Sequence, residues 1–320
     1  MKSGIEKWLE RFESEKKPSI FKISIDRLTL LGHWDYKGDE KFARLCKSLN
    51  HDIRIIKGDG TRTPAGFIFE NRCYFEVLDS NNFKDARPFR LDFNPNKLTA
   101  KEERYLKKEI LPLLRFVSAS RIDLAFDIEL NLEAHQFIEE NNPKKRMYIR
   151  GRGLELQTLN IGSDESEYKV TIYNKLLERK AKLIKNPLDV STEEKDYLET
   201  KKHWWRIEFK LKGQAASVDR SFNAFSENNV FRGLKVYKPD YKAADDMRTR
   251  AMVYYLLNHE DEWGNLSWES KKKYKEYIEA FSDYDLVDYL KDCYLRQCDM
   301  LKGQYIDYVL SDSSKNRKAR

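Results

Sequence analysis

A chain of 320 residues and 38.1 kDa is long enough for a sizeable core divided among two or three units. Hydrophobic residues at 40% and charged residues at 35% describe a folded protein with a wet surface and exclude a low-complexity chain. Sixty Lys and Arg against 53 Asp and Glu leave a net charge of +7, so a polyanion partner must be argued from where the cations fall.

No apolar run is long enough for a membrane span, and residues 1–20 lack the apolar centre of a secretory signal. Cys46, Cys73, Cys293 and Cys298 form no CxxC pair and no zinc spacing. They read as reduced packing residues, and a cytoplasmic location is expected.

Residues 1–18 form a charged arm with a short helix over 6–15. A first sheet unit, 19–117, follows, with strands expected at 21–31, 52–57, 65–70, 72–78 and 88–93. Thr99 and Glu102 have the spacing of a capping box, and Tyr105, Leu106, Ile110 and Leu113 continue the helix until Pro112 kinks or ends it.

A second unit, 118–239, repeats the pattern, with strands at 121–130, 146–150, 154–161, 168–175 and 204–211. Arg150-Gly151-Arg152-Gly153 is a hairpin turn, and helices are expected at 174–185, 191–202 and about 217–227. The units resemble each other: Phe89-Arg90-Leu91-Asp92-Phe93 parallels Trp205-Arg206-Ile207-Glu208-Phe209 as closing strands. The expected fold is therefore α+β, a twisted, mainly antiparallel sheet built from two similar strand sets with a helical C-terminal region. That region, 240–312, carries stripes at Met247, Ala251, Tyr254 and Leu257, at Tyr274, Ile278 and Phe281, and at Leu286, Leu290 and Cys293. Ser282 with Asp285 is expected to start the last helix, and 313–320 is a basic tail.

Chemistry concentrates in the second unit. Arg121, Asp123, Ala125 and Asp127 alternate with Ile122, Leu124, Phe126 and Ile128, which sets both carboxylates on one face of a strand. Aspartate is disfavoured in strands, so the pair is either a solvated outer face or a site. Four residues separate them by about 13 Å, so a shared ion needs a third carboxylate, and Glu208 on a neighbouring strand is the candidate. Such oxygen ligands suit Mg²⁺ or Mn²⁺. Tyr173 ends a polar strand face immediately before a helix, with Lys175 beside it. Tyrosine nucleophile, carboxylates and a cationic shell of Lys175, Arg121 and Arg206 together describe DNA transesterification. Arg150 and Arg152 at the hairpin and the Lys271-Lys272-Lys273 run are candidate phosphate contacts; Trp204 and Trp205 read as core.

Five ordered blocks resemble the replication initiators of small rolling-circle plasmids of Gram-positive bacteria, of the type whose initiator is a dimer. They are Arg90 to Thr99, Ser120 to Asp127, Ile172-Tyr173-Asn174-Lys175 with Glu178-Arg179-Lys180, Trp205-Arg206-Ile207-Glu208, and Asp261-Glu262-Trp263-Gly264. The resemblance implies a tyrosine, here Tyr173, that nicks the plasmid origin and stays linked to the new 5′ end. It also implies a homodimer, a host superfamily 1 helicase as partner, and origin recognition within residues 240–310. Two features depart from related nickases. None of the five histidines forms a His-hydrophobe-His metal motif, and Asp164 stands in the Gly162-Ser163 loop where the family usually has arginine. A non-catalytic origin-binding regulator is the alternative on the same fold. A tyrosine recombinase is disfavoured because no arginine and histidine set surrounds Tyr305 and Tyr308.

Overall fold

Strict alternation over residues 121–128 sorts side chains to two faces, and Ile122, Leu124, Phe126 and Ile128 are completely buried on one of them. The same pattern recurs in Ile23, Ile25, Leu28 and Leu30 and in Ile207, Phe209 and Leu211, so these strands assemble into one sheet with a single apolar face. The computed structural model describes residues 19–34, 55–56, 62–63, 65–77, 89–133, 135–139, 145–153, 155–186, 192–218 and 222–309. The N-terminal arm, the basic tail, Cys46 and most of the strand expected at 52–57 lie outside the described residues.

The strands are β1 (Ser19–Trp34), β2 (Ile55–Ile56), β3 (Arg62–Thr63), β4 (Ala65–Ile68), β5 (Cys73–Val77), β6 (Phe89–Phe93) and β7 (Leu114–Glu129). They continue with β8 (Gln136–Glu139), β9 (Arg146–Arg150), β10 (Leu156–Ile161), β11 (Tyr168–Asn174), β12 (Trp205–Lys212), β13 (Leu234–Pro239) and β14 (Ser282–Asp285). The helices are α1 (Ala100–Tyr105), α2 (Lys175–Lys185), α3 (Thr192–Thr200), α4 (Glu227–Phe231), α5 (Met247–Asn258), α6 (Trp268–Ala280) and α7 (Leu286–Val309).

Nine strands form one antiparallel sheet in the order β4-β5-β6-β1-β7-β12-β11-β10-β9. The order has an internal symmetry. In each half the first strand pairs with the last, and the preceding strands follow outward: β1-β6-β5-β4 and β7-β12-β11-β10-β9. The long pair β1–β7 joins the halves. Arg90-Leu91-Asp92-Phe93 and Arg206-Ile207-Glu208-Phe209 occupy corresponding places, as the two similar strand sets require.

The apolar face is closed mainly by α7, whose Leu286, Leu290, Tyr294, Leu301 and Tyr305 join the core. Phe126, Phe209, Phe231 and Tyr294 meet at ring separations of 5.0 to 6.0 Å, mostly edge to face. Each such burial contributes roughly 1.5–3 kcal/mol, so the last helix is part of the sheet's core. Helices α5 and α6 instead pack with β13 around Tyr237, Val253 and Ile278, a small satellite cluster.

Several local expectations meet the structure differently. The capping box is present, with Thr99 N–H donating to Glu102 Oε2 at 2.8 Å and Glu102 N–H to Thr99 Oγ1 at 3.3 Å. However, α1 ends at Tyr105, and a wider turn and a 3₁₀ turn carrying Pro112 lead into β7. The helix expected at 217–227 is a 3₁₀ turn (Asn223–Phe225) followed by the one-turn α4. On α5 the buried residues are Val253 and Leu256, whereas Met247 and Tyr254 are exposed; Tyr254 packs on Tyr241 outside the core. Ser282 to Asp285 is strand β14, and Asp285 alone caps α7 by accepting from Val287 N–H at 2.9 Å.

Candidate active site on the polar face of the sheet

Residues directly opposite each other on neighbouring strands share a face, so the register lays out the site in rows. One row runs Thr158, Tyr173, Arg206, Asp127, Lys22. The next runs Asn160, Thr171, Glu208, Ala125, Ser24, and a third runs Lys169, Lys210, Asp123, Arg27. A fourth holds Lys212, Arg121, Thr29 and Asp92.

Tyr173 is the penultimate residue of β11. Asn174 then caps α2, accepting from Leu177 N–H at 3.0 Å, so the tyrosine stands at the positive end of an eleven-residue helix rich in lysine. Its hydroxyl donates to Glu208 Oε1 at 2.8 Å, and Lys175 Nζ lies 3.4 Å from the same hydroxyl oxygen. Arg206 stands directly across the strand pair.

These contacts set the protonation states. Burial, and then the negative charge of Glu208, push the Tyr173 phenol far above its ordinary value, so the free protein carries it as a neutral donor. Glu208 is raised above the usual carboxylate range by burial, partly offset by Lys210 and by the hydrogen bond from Tyr173. The Arg206 guanidinium remains charged: Asp127 holds its proton more firmly than burial disfavours it.

The two aspartates are occupied elsewhere. Asp123, 3% exposed, accepts both arms of Arg121 at 2.7 and 2.6 Å. Asp127, 1% exposed, accepts both arms of Arg206 at 2.7 and 2.8 Å, and the Trp204 indole N–H at 2.9 Å. Both are internal ion pairs, which removes the solvated-face alternative. It also counts against the expected metal cage: among the described residues no three acidic, histidine or cysteine side chains stand together as ion ligands. Asp123, Asp127 and Glu208 therefore do not fit a shared Mg²⁺ or Mn²⁺ site in this arrangement, because arginine already takes the aspartate oxygens.

Asp26 joins the site through a register shift between Ile25 and Arg27 on β1, and its Oδ1 lies 3.1 Å from Arg206 Nη1. The corresponding acid of the first half, Asp92, is closed by Arg27 at 2.8 and 2.9 Å and by Thr29 at 3.0 Å, whereas Glu208 accepts from a tyrosine.

The family described as replication initiation protein, N-terminal, matches residues 72–114. A replication initiation protein of Staphylococcus aureus is 31% identical over 272 residues, covering 84% of this chain and 79% of the relative. A second from the same species is 33% identical over 271 residues, with the same coverage. The chain belongs to the replication initiation protein family. The solved rolling circle replication initiator protein from Geobacillus stearothermophilus aligns with 72% of this chain and 91% of its own, at 15% identity and a TM-score of 0.36.

In this initiation protein the sequence candidates Tyr173, Lys175, Arg206 and Glu208 come together. Arg121, Asp123 and Asp127 share their sheet face as paired supports. Arg150 does not join them: it lies opposite the core residue Leu156 and stacks over Tyr148, on the far face of edge strand β9. Arg152 is exposed at the following turn. Lys271, Lys272 and Lys273 lie on α6 in the satellite cluster, with Lys271 on the Gly264 carbonyl and Lys273 over Tyr274 and Tyr277. Trp205 is core, while Trp204 is half-buried and packs edge-on against Phe21 at 5.7 Å and Tyr197 at 5.6 Å. No described helix is long and apolar enough to cross a membrane.

Proposed function

We propose that this protein initiates rolling-circle replication of a plasmid by nicking one strand of its origin through Tyr173. The observation that carries this is the 2.8 Å hydrogen bond from the Tyr173 hydroxyl to Glu208 Oε1 beside two cations. A carboxylate at that distance is placed to take the phenol proton as the oxygen attacks phosphorus. The bond formed is tyrosine oxygen to phosphorus, and the bond broken is phosphorus to the 3′-oxygen of the preceding nucleotide. That oxygen takes a proton from water and leaves as a 3′-hydroxyl primer. One phosphoester replaces another, so the reverse attack rejoins the strand without an energy source.

Each neighbour has a part in this. Arg206 and Lys175 face the charge that develops on the phosphate. Asp127 and Trp204 fix Arg206, and Asp26 steadies its other arm. Arg121 is committed to Asp123 and supports the face at a distance. No step is assigned to a metal ion, because arginines already hold both aspartates that would join Glu208 around one. The family resemblance supports a homodimer and a superfamily 1 helicase as partners, and residues 240–310 as the part that recognises origin DNA.

Tyr173→Phe tests the nucleophile. It keeps the ring packing and is expected to abolish nicking and the covalent adduct while origin binding remains. Normal nicking by the variant would place the nucleophile elsewhere. Absence of any adduct in the wild-type protein would favour a non-catalytic origin-binding regulator.

A further inference from the structure

Two rows away from Tyr173 the polar face breaks a rule of sheet construction. Lys169 and Lys210 stand directly opposite each other on β11 and β12, and Lys212 and Arg121 directly opposite on β12 and β7. Like charges in that relation destabilise a sheet, and two such pairs adjoin here. Asp123 offsets Arg121, which holds both its oxygens, and attracts Lys210 and Lys212 only through space, without a hydrogen bond to either. Glu208 offers Lys210 only a 3.6 Å contact, and its other oxygen serves Tyr173. Lys169 is itself 7% exposed, a depth at which lysine normally needs a partner.

The partner is the loop between β10 and β11. Asp164, in the segment opened by Gly162, accepts from Lys169 Nζ at 2.7 Å, and its backbone carbonyl accepts from Lys212 Nζ. The aspartate side chain is 82% exposed, so a surface loop places an anion over the buried end of a cation cluster. The crowding also shows in Lys212, whose pKa lies below the ordinary lysine value through burial and then through Arg121.

We propose that Lys169, Lys210 and Lys212 form a binding site for a backbone phosphate of the DNA strand that Tyr173 nicks, filled in the free protein by Asp164, which DNA displaces. Lys210 lies two residues from Glu208 along β12, about 7 Å, so the strand runs along β12 from the reacting phosphate toward the loop. The phosphodiester replaces Asp164 and relieves both like-charge pairs. This assignment presupposes that Tyr173 faces the DNA, as the nicking function requires.

Binding of a fluorescent single-stranded oligonucleotide, in the Tyr173→Phe background so that no cleavage intervenes, tests it. Asp164→Asn is expected to tighten binding roughly two- to five-fold, because it removes a competing ion pair of surface strength. Lys212→Gln is expected to weaken binding and flatten the log–log salt dependence by about 0.7, the loss of one single-strand phosphate contact. Adding Asp164→Asn to Lys169→Gln is expected to give no further gain, since the competing pair is already gone. Thermal melts identify a Lys169 variant that fails to fold, in which case Lys212→Gln and Lys210→Gln decide. Unchanged affinity in Asp164→Asn, or an unchanged salt slope in the lysine variants, overturns the site. The outcome is separable from nicking. Loss of affinity in the lysine variants, together with no adduct from the wild-type protein, keeps the phosphate site and removes the nucleophile.

Discussion

Glu208→Gln separates the chemistry of the site from its architecture. The amide oxygen of glutamine still accepts the Tyr173 hydroxyl, now 2.8 Å from Oε1, so the nucleophile keeps its position. What disappears is a group that can take the proton. General bases of this kind contribute typically 10²–10⁴-fold, or about 2.7–5.5 kcal/mol of barrier. The phenol is strongly raised, so water is a poor substitute and the loss is expected toward the upper end. Stability moves little. The residue is 8% exposed, and its closest cation is 3.6 Å away, so the substitution removes a buried charge with weak compensation. Weakening one charge-assisted hydrogen bond costs about 1 kcal/mol in the other direction, and the melting temperature is expected to stay within about 3 °C. Single-turnover formation of the protein–DNA adduct, beside a thermal melt, reads both quantities. An adduct rate within threefold of wild type would refute the role of Glu208 as base, and a collapse in stability would show that it is architectural.

Asp127→Asn is expected to behave in the opposite way: it strands Arg206 without its bidentate partner at a 1% exposed position, costing about 3–5 kcal/mol in denaturant unfolding. The adduct rate should fall as pH drops through the Glu208 pKa, because the protonated acid cannot accept the phenol proton, and the midpoint should lie above 4.5. The same limb should be absent in Glu208→Gln. The sign for stability is the reverse: a carboxyl raised by folding stabilises at low pH and loses that contribution as pH rises through its folded value. On α6, Lys272→Gln and Lys273→Gln should each flatten the salt dependence of duplex origin binding by roughly one unit while weakening cognate and random DNA alike. A change in origin preference would instead make these lysines readers of sequence.

Strand alternation made most of the sheet legible, because a period of two is written directly in residues such as Ile122 to Ile128. The duplicated unit was legible too, through the matching closing strands. Tyr173 stood out by its place at a strand-to-helix junction, where Asn174 caps and Lys175 follows. The roles of the carboxylates did not follow from sequence. Whether Asp127 meets an ion or Arg206 depends on cross-strand register, which one strand's sequence does not contain. Asp26 was hidden for the same reason, since only the irregularity in β1 turns it toward Arg206. Short strands such as β8 and β14 pair far from home and carry too few residues to show a period. On α5 the stripe through Met247 and Tyr254 was one of two helical faces with apolar residues, and packing against β13 selected the face of Val253 and Leu256.

The central claim is that Tyr173 forms the bond to DNA, and the direct measurement is peptide mapping of the covalent adduct. The wild-type protein is incubated with a supercoiled plasmid bearing its cognate origin, digested with protease and nuclease, and the nucleotide-bearing peptide is sequenced by mass spectrometry. The expected peptide spans Tyr173 with a 5′-phosphonucleotide on its phenol oxygen. A modified peptide carrying any other tyrosine, such as Tyr305 or Tyr308, would contradict the account.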